Sequence, residues 1–179
     1  MTAQDNILRH KNMITSPHNP KLKQIRALAG RPKERREAGA FLAEGARLIE
    51  EARAANWPFE YVLFSAEVSN RAKKLVEQLR AEGVDVEEAQ PDVFRSASET
   101  ETSQGLIAVL KLPDFRIQNP DLLTFVLIPD QIRDPGNLGT LIRTAAAAGV
   151  DAVLIPPETT DPWAPKVVRA GMGAHFGLT

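Results

Sequence analysis

Phe125-Val126-Leu127-Ile128, the loop from Asp130 to Gly136, the stretch from about Leu138 to Ala148, the stop at Gly149, and Val153-Leu154-Ile155 follow one another without interruption. The first run is continuously apolar, as expected of a parallel strand covered on both faces. A helix running from about Leu138 and a second apolar strand ended by Pro156-Pro157 follow it. Trp163–Gly171 predicts a further helix, and His175–Leu178 the start of a third strand. This alternation predicts a parallel sheet with right-handed crossovers, the pattern of nucleotide folds. Three strands leave one sheet edge and part of a face uncovered, so the unit is expected to be truncated or completed by a partner.

Upstream of this stretch, Leu112–Asp121 carries two prolines and no periodicity and reads as a linker. Before it, Ser16–Pro20 predicts a turn and Lys21–Leu28 a basic helix. Phe41–Ala55 reads as a helix through Leu42, Ala46, Ile49 and Ala52, and Ser69–Ala81 as a second one stopped by Gly83. Tyr61–Phe64, Val84–Glu87 and Leu106–Leu110 predict strands, and Pro91–Ser96 a short helix. The expected fold class is α/β, a small α/β/α sandwich followed by an incomplete parallel sheet. The boundaries are 1–12 (an extension), 13–112, a linker at 113–122, and 123–179.

The chain has 179 residues, 43% of them hydrophobic, which is enough for a buried core and excludes disordered and fibrous classes. No apolar run reaches the ~18 to 20 residues of a membrane span, and the polar start does not resemble a signal peptide. With no cysteine and three scattered histidines (His10, His18, His175), neither a thiol nucleophile nor a metal site is expected. The expectation is a soluble cytoplasmic protein. Its net charge of −1 hides an asymmetry. Residues 1–36 hold nine Lys and Arg against two acids, and the rest of the chain is acidic. Such an arm suits a phosphate-backbone binder, while a solvated helix face explains it about as well.

Chemistry concentrates in Asp134-Pro135-Gly136-Asn137-Leu138-Gly139-Thr140-Leu141-Ile142-Arg143-Thr144. It lies where a strand gives way to a helix, the place at which α/β folds bind ligands. Pro135 and Gly136 are expected to set a tight turn, and Asn137 to cap the helix. Gly139 admits a close backbone or ligand, and Arg143, one turn on, can reach back toward the loop. The string lacks the Lys-Ser/Thr of a P-loop and the G-x-G-x-x-G of dinucleotide folds. A plain turn and cap with a surface arginine remains open.

These residues, Ile128–Gly139 with Arg143-Thr144-Ala145, resemble the first signature motif of the SpoU (TrmH-type) RNA ribose 2′-O-methyltransferases. Gly149–Val153 and Ala164–Ala170 resemble the segments that follow it there. Asn19-Pro20-Lys21, Phe41–Leu48 and Thr100–Leu106 resemble the family's N-terminal substrate-binding domain, which is ribosomal-protein-like in fold. The resemblance runs from Met13 to the end. Two later motifs, Gly-x-Glu-x-x-Gly and Ser-Leu-Asn-Val-Ser, which build the family's knotted cofactor site, are absent. Gly171 stands where many members carry Ser.

The resemblance implies a SPOUT-type domain and methyl transfer from S-adenosylmethionine to RNA, with ribosomal RNA favoured over transfer RNA. The cofactor is not expected to bind this chain alone, and its binding residues are unknown. Arg143 and Asn137 are the implied catalytic pair. Guanidinium deprotonates only above about pH 12, so Arg143 is expected to hold phosphate and stabilise alkoxide rather than act as a base. Asp134, Pro135, Gly136 and Gly139 form the motif loop. Lys21, Arg26, Arg31, Lys33, Arg35 and Arg36 are the expected RNA contacts, with Glu44 and Arg47 weaker ones that can pair with each other three apart on one helix. The resemblance implies a homodimer formed through the knotted part, which leaves the oligomeric state of this chain open. A non-catalytic RNA-binding module is the competing expectation.

Overall fold

A computed structural model describes residues 13–98, 104–113 and 120–178. The expected extension at 1–12, the stretch Thr100–Ser103 and most of the linker, 114–119, lie outside the described residues.

Four strands form one mixed sheet: β1 (Ala40–Glu44), β2 (Phe59–Ser65), β3 (Val86–Ala89) and β4 (Leu106–Lys111), in the order β1-β4-β2-β3. β4 is antiparallel to β1 (Leu42 opposite Val109) and to β2, whereas β2 and β3 run parallel. The N-terminal segment covers the β3 edge through Ile14, whose N–H donates to the Glu88 carbonyl at 2.8 Å.

Successive strand residues point to opposite faces, so both faces can be apolar only if both are covered. Helices α1 (Pro20–Gly30) and α5 (Pro91–Arg95) cover one face, burying Leu22, Ile25 and Phe94 against Leu42, Leu63, Ile107 and Val109. Helices α3 (Ala46–Ala54) and α4 (Asn70–Ala81) cover the other, against Phe41, Val62, Phe64 and Leu110. Helix α2 (Pro32–Ala38) leads into β1 and ends at Gly39 in a left-handed conformation. The α/β/α sandwich is as expected.

One element in it is not. Phe41–Ala55 is a strand and a helix, not one helix. Leu42 and Ile49 satisfy helical spacing yet belong to cores on opposite sides of the sheet. Gly45, at φ +96°, makes the break, and a Cβ there would come within 2.8 Å of the Gln104 amide oxygen.

In the C-terminal part, β5 (Val126–Leu127) and β6 (Ala152–Val153) pair in parallel, flanking α6 (Pro135–Ala147), and α7 (Pro165–Gly171) packs on α6. The strands are shorter than the apolar runs suggest. Phe125 and Ile128 remain 51% and 60% exposed, so the expected double cover is missing. The expected strand at His175–Leu178 is instead a 3₁₀ turn, Ala174–Phe176, that buries His175. The two parts meet at an aromatic cluster in which Trp163 lies 4.5 Å from Phe41, and Phe176 lies 5.3 Å from Trp57. Among the described residues no helix is long and apolar enough to cross a membrane, and no cluster of three His, Asp or Glu could hold a metal.

Candidate functional site

Asp134 starts α6. Its Oδ1 accepts the Asn137 N–H at 2.8 Å, so Asp134, and not Asn137, is the N-cap. Pro135 and Gly136 are accordingly the first two helical residues rather than a tight turn; proline suits that position because its missing N–H has no helical partner. The helix begins three residues before the expected Leu138.

Gly139 is buried at the α6–α7 seam, where a Cβ would lie 2.5 Å from both the Ala170 Cβ and the Val167 carbonyl oxygen. The close approach expected of this glycine is made by the backbone of α7. Arg143, four residues on, borders that seam, is exposed, and stands two turns above Gly136 on the same face. It forms no ion pair among the described residues. Asn137 is exposed beside the loop, about a third of a turn round the helix from the Arg143 face.

Two loops at the C-terminal ends of β5 and β6 are tied together. The Thr160 N–H donates to the Ile132 carbonyl and the Thr159 hydroxyl to the Pro129 carbonyl, each at 2.8 Å. Gln131 and Glu158, one in each loop, have φ of +51° and +67°, the left-handed region that non-glycine residues seldom occupy. Such strain gathers at functional sites. Nothing in the sequence singles out either residue.

The basic residues separate by environment. Arg31, Lys33 and Arg36 are exposed, with Lys33 3.6 Å from Glu37. Arg26 donates to the Leu22 and Pro17 carbonyls. Lys21 is held by Asp85 and Glu87 over the Tyr61 ring. Burial opposes its charge, but the two carboxylates outweigh that and raise its pKa above the usual lysine value.

Arg35 is 2% exposed. Its Nε and Nη2 both reach Asp161 Oδ2 at 2.7 Å, and its Nη1 donates to the Leu28 carbonyl at 2.5 Å. This corrects the reading of Arg35 as an RNA contact: its fork is consumed inside the protein. Glu44 ends β1 while Arg47 lies exposed on α3, so the expected same-helix pair does not exist. Glu44 instead accepts from the Ser98 hydroxyl at 2.8 Å and faces Arg169 at 3.8 Å.

His175 donates from Nε2 to the Pro162 carbonyl at 2.9 Å, and its Nδ1 has no partner. Burial pushes its pKa down to about 4 against the opposing effect of that bond, so the ring is neutral near pH 7. The ring fills the space a side chain at 171 would need, since a Cβ on Gly171 would lie 2.5 Å from His175 Cε1. This accounts for glycine at that position.

Residues 19–108 match the MRM3-like substrate binding domain and residues 124–179 the SpoU rRNA Methylase family. The chain belongs to the SpoU rRNA methylase family. It is 36% identical over 165 residues to the 23S rRNA (guanosine(2553)-2′-O)-methyltransferase RlmP of Bacillus subtilis, covering 92% of this chain and 62% of that one. The AdoMet-bound rRNA methyltransferase of Sinorhizobium meliloti superposes with a TM-score of 0.76 at 32% identity, over 93% of this chain and 62% of that one. The SpoU methyltransferase AviRb of Streptomyces viridochromogenes, in complex with AdoMet, gives 0.74 at 30% identity, over 89% and 60%. The SpoU chain described here thus spans about three fifths of the length of these relatives.

A nucleoside cofactor needs a pocket that buries most of its surface. Beside β5 and β6, Phe125, Ile128 and Leu154 are open to solvent. They do not by themselves enclose an adenosyl group.

Proposed function

We propose that the chain is the RNA-recognising and motif-bearing part of a ribose 2′-O-methyltransferase whose substrate is ribosomal RNA and whose methyl donor is S-adenosylmethionine. In this reading 13–112 is the RNA-binding unit and 123–179 the methylase unit of a cytoplasmic homodimer. The observation that carries it is the double match, two family segments in order along one chain, with an exposed, unpaired Arg143 on the motif helix. The exposed apolar residues Leu122, Phe125, Ile128 and Leu154 support association with a further surface.

A ribose hydroxyl becomes a useful nucleophile only when it is aligned and relieved of its proton. Arg143 cannot take that proton at neutral pH. Its guanidinium is suited to gripping the adjacent phosphate and to stabilising negative charge growing on the 2′-oxygen. Asn137, free of capping duty in its side chain and exposed beside the loop, is assigned the role of orienting the hydroxyl. Arg31, Lys33 and Arg36 supply affinity without reading sequence.

The exposed apolar residues around β5 and β6 also favour a second reading, an RNA-binding module without catalysis. Fluorescence anisotropy with a ribosomal RNA fragment, titrated with salt, tests the part common to both. Replacing Arg31, Lys33 and Arg36 by Ala is expected to weaken binding and to flatten the slope of log K against log salt, by about 0.7 per lost phosphate contact on single-stranded RNA. An unchanged slope would remove α2 and its N-cap Arg31 from the interface. Ribose-methylation mapping of ribosomal RNA from a host lacking the gene separates the readings: loss of one methyl supports the enzyme, an intact pattern the module.

A further inference from the structure

Among the described Lys and Arg residues of the basic N-terminal run, Arg35 alone is buried, and its partner belongs to the other part of the chain. Asp161 is itself only 15% exposed. Its Oδ2 takes the Nε and Nη2 donors of Arg35, and its Oδ1 accepts the Trp163 backbone N–H at 3.1 Å. One residue back, Thr160 donates to Ile132, and Thr159 to Pro129, in the loop that leads into Asp134. The path from helix α2 to the motif loop is therefore one ion pair, one residue and one backbone hydrogen bond. On the α2 side the guanidinium also gathers the Leu28 and Gly30 carbonyls at the end of α1. The loops it reaches are the two that hold Gln131 and Glu158 in strained conformations.

We propose that Arg35 and Asp161 are positioning residues: their pair holds the RNA-binding unit in register with the strained loops before the motif helix. A simple electrostatic role for either residue predicts something different. Exposed charges near the pair are mixed, with Arg31, Lys33 and Arg36 beside Glu34 and Glu37 on α2, and Arg133 3.9 Å from Glu158 across the loops. If Asp161 acted only as one more negative charge, removing it would tighten RNA binding. If it sets register, removing it loosens binding, because phosphate contacts on the two units no longer fall on one RNA conformation at the same time.

The chain has no cysteine, so spin labels at Lys74→Cys on α4 and Ala147→Cys on α6, both exposed, report the spacing of the two units without interference. The unsubstituted pair is expected to give one narrow distance distribution. Asp161→Asn, Arg35→Ala and the charge-keeping Arg35→Lys should each broaden or shift it, since lysine lacks the planar fork. Asp161→Asn should also weaken RNA binding by roughly 2- to 30-fold, the range in which residues between two sites modulate coupling. Should Arg35→Ala not fold, as judged by circular dichroism, the other two variants carry the test. Superimposable distances in Asp161→Asn and Arg35→Lys, or tighter RNA binding by Asp161→Asn, would overturn the proposal. The affinity measurement rests on the RNA-binding reading, and the distance measurement does not. A chain that binds no RNA yet broadens in Asp161→Asn would sink that reading while supporting the positioning pair.

Discussion

At position 139 a single methyl group is decisive. With two atoms of α7 at 2.5 Å from where it would sit, Gly139→Ala must push the helices apart. Overpacking of this kind costs about 1–3 kcal/mol, readable as a lower urea midpoint. Arg143→Ala, exposed on the same helix, should change stability by no more than about 0.5 kcal/mol. His175 gives the residue scale a pH dependence. Its pKa falls from 6.5 to about 4 on folding, so the unfolded chain takes up a proton first as the solution is acidified. Its contribution is complete above pH 6.5 and is lost as pH falls from there to about 4, on the order of 3 kcal/mol in all. Denaturation midpoints for the parent and for His175→Phe should converge in slope only above that window. A parent midpoint that is flat from pH 6.5 to 4.5 would contradict the burial of a neutral ring.

At the scale of elements, the start of α6 distinguishes two residues that the sequence leaves interchangeable. Asp134→Ala removes the side-chain bond to the Asn137 N–H and should cost about 1 kcal/mol. Asn137→Ala leaves that bond in place and should be near neutral in thermal melts, while lowering activity. Equal losses for the two would mean that Asn137 is structural. Several elements were legible in the residues because local pattern and tertiary fate agree. The stripe through Ala72, Leu75, Val76 and Leu79 is buried as its spacing says, with Ser69 as cap. Phe41–Ala55 misleads because its apolar residues divide between two faces of a sheet, and no single-helix periodicity encodes the glycine break between them. His175–Leu178 misleads for a different reason: burial of one imidazole against Gly171 decides that turn, and such packing leaves no periodic trace. Within the candidate site, the motif helix was legible from its spacing but its start was not, because Asp134 caps it and Pro135 and Gly136 are helical rather than a turn. The internal fate of Arg35 was not, because its partner lies 126 positions away.

For the whole molecule, the two parts are joined by apolar and ionic contacts. Phe41, Trp57, Trp163 and Phe176 form an aromatic seam, and the Arg35–Asp161 and Glu44–Arg169 contacts flank it. Aromatic pairs at these separations add about 0.5–1.5 kcal/mol each beyond the area they bury. The motif helix is thereby carried on the same framework as the basic helix α2, and Arg143 is left exposed and uncommitted beside the α6–α7 seam. The measurement closest to the central claim is a ribose 2′-O-methylation map of ribosomal RNA from a host lacking the gene, complemented in turn by the parent and by Arg143→Ala. One methyl group should vanish on disruption, return with the parent, and stay absent or fall by about 10²- to 10³-fold in rate with Arg143→Ala. Restoration by Arg143→Ala at the parental rate would contradict the assignment of that guanidinium to the 2′-oxygen that receives the methyl group.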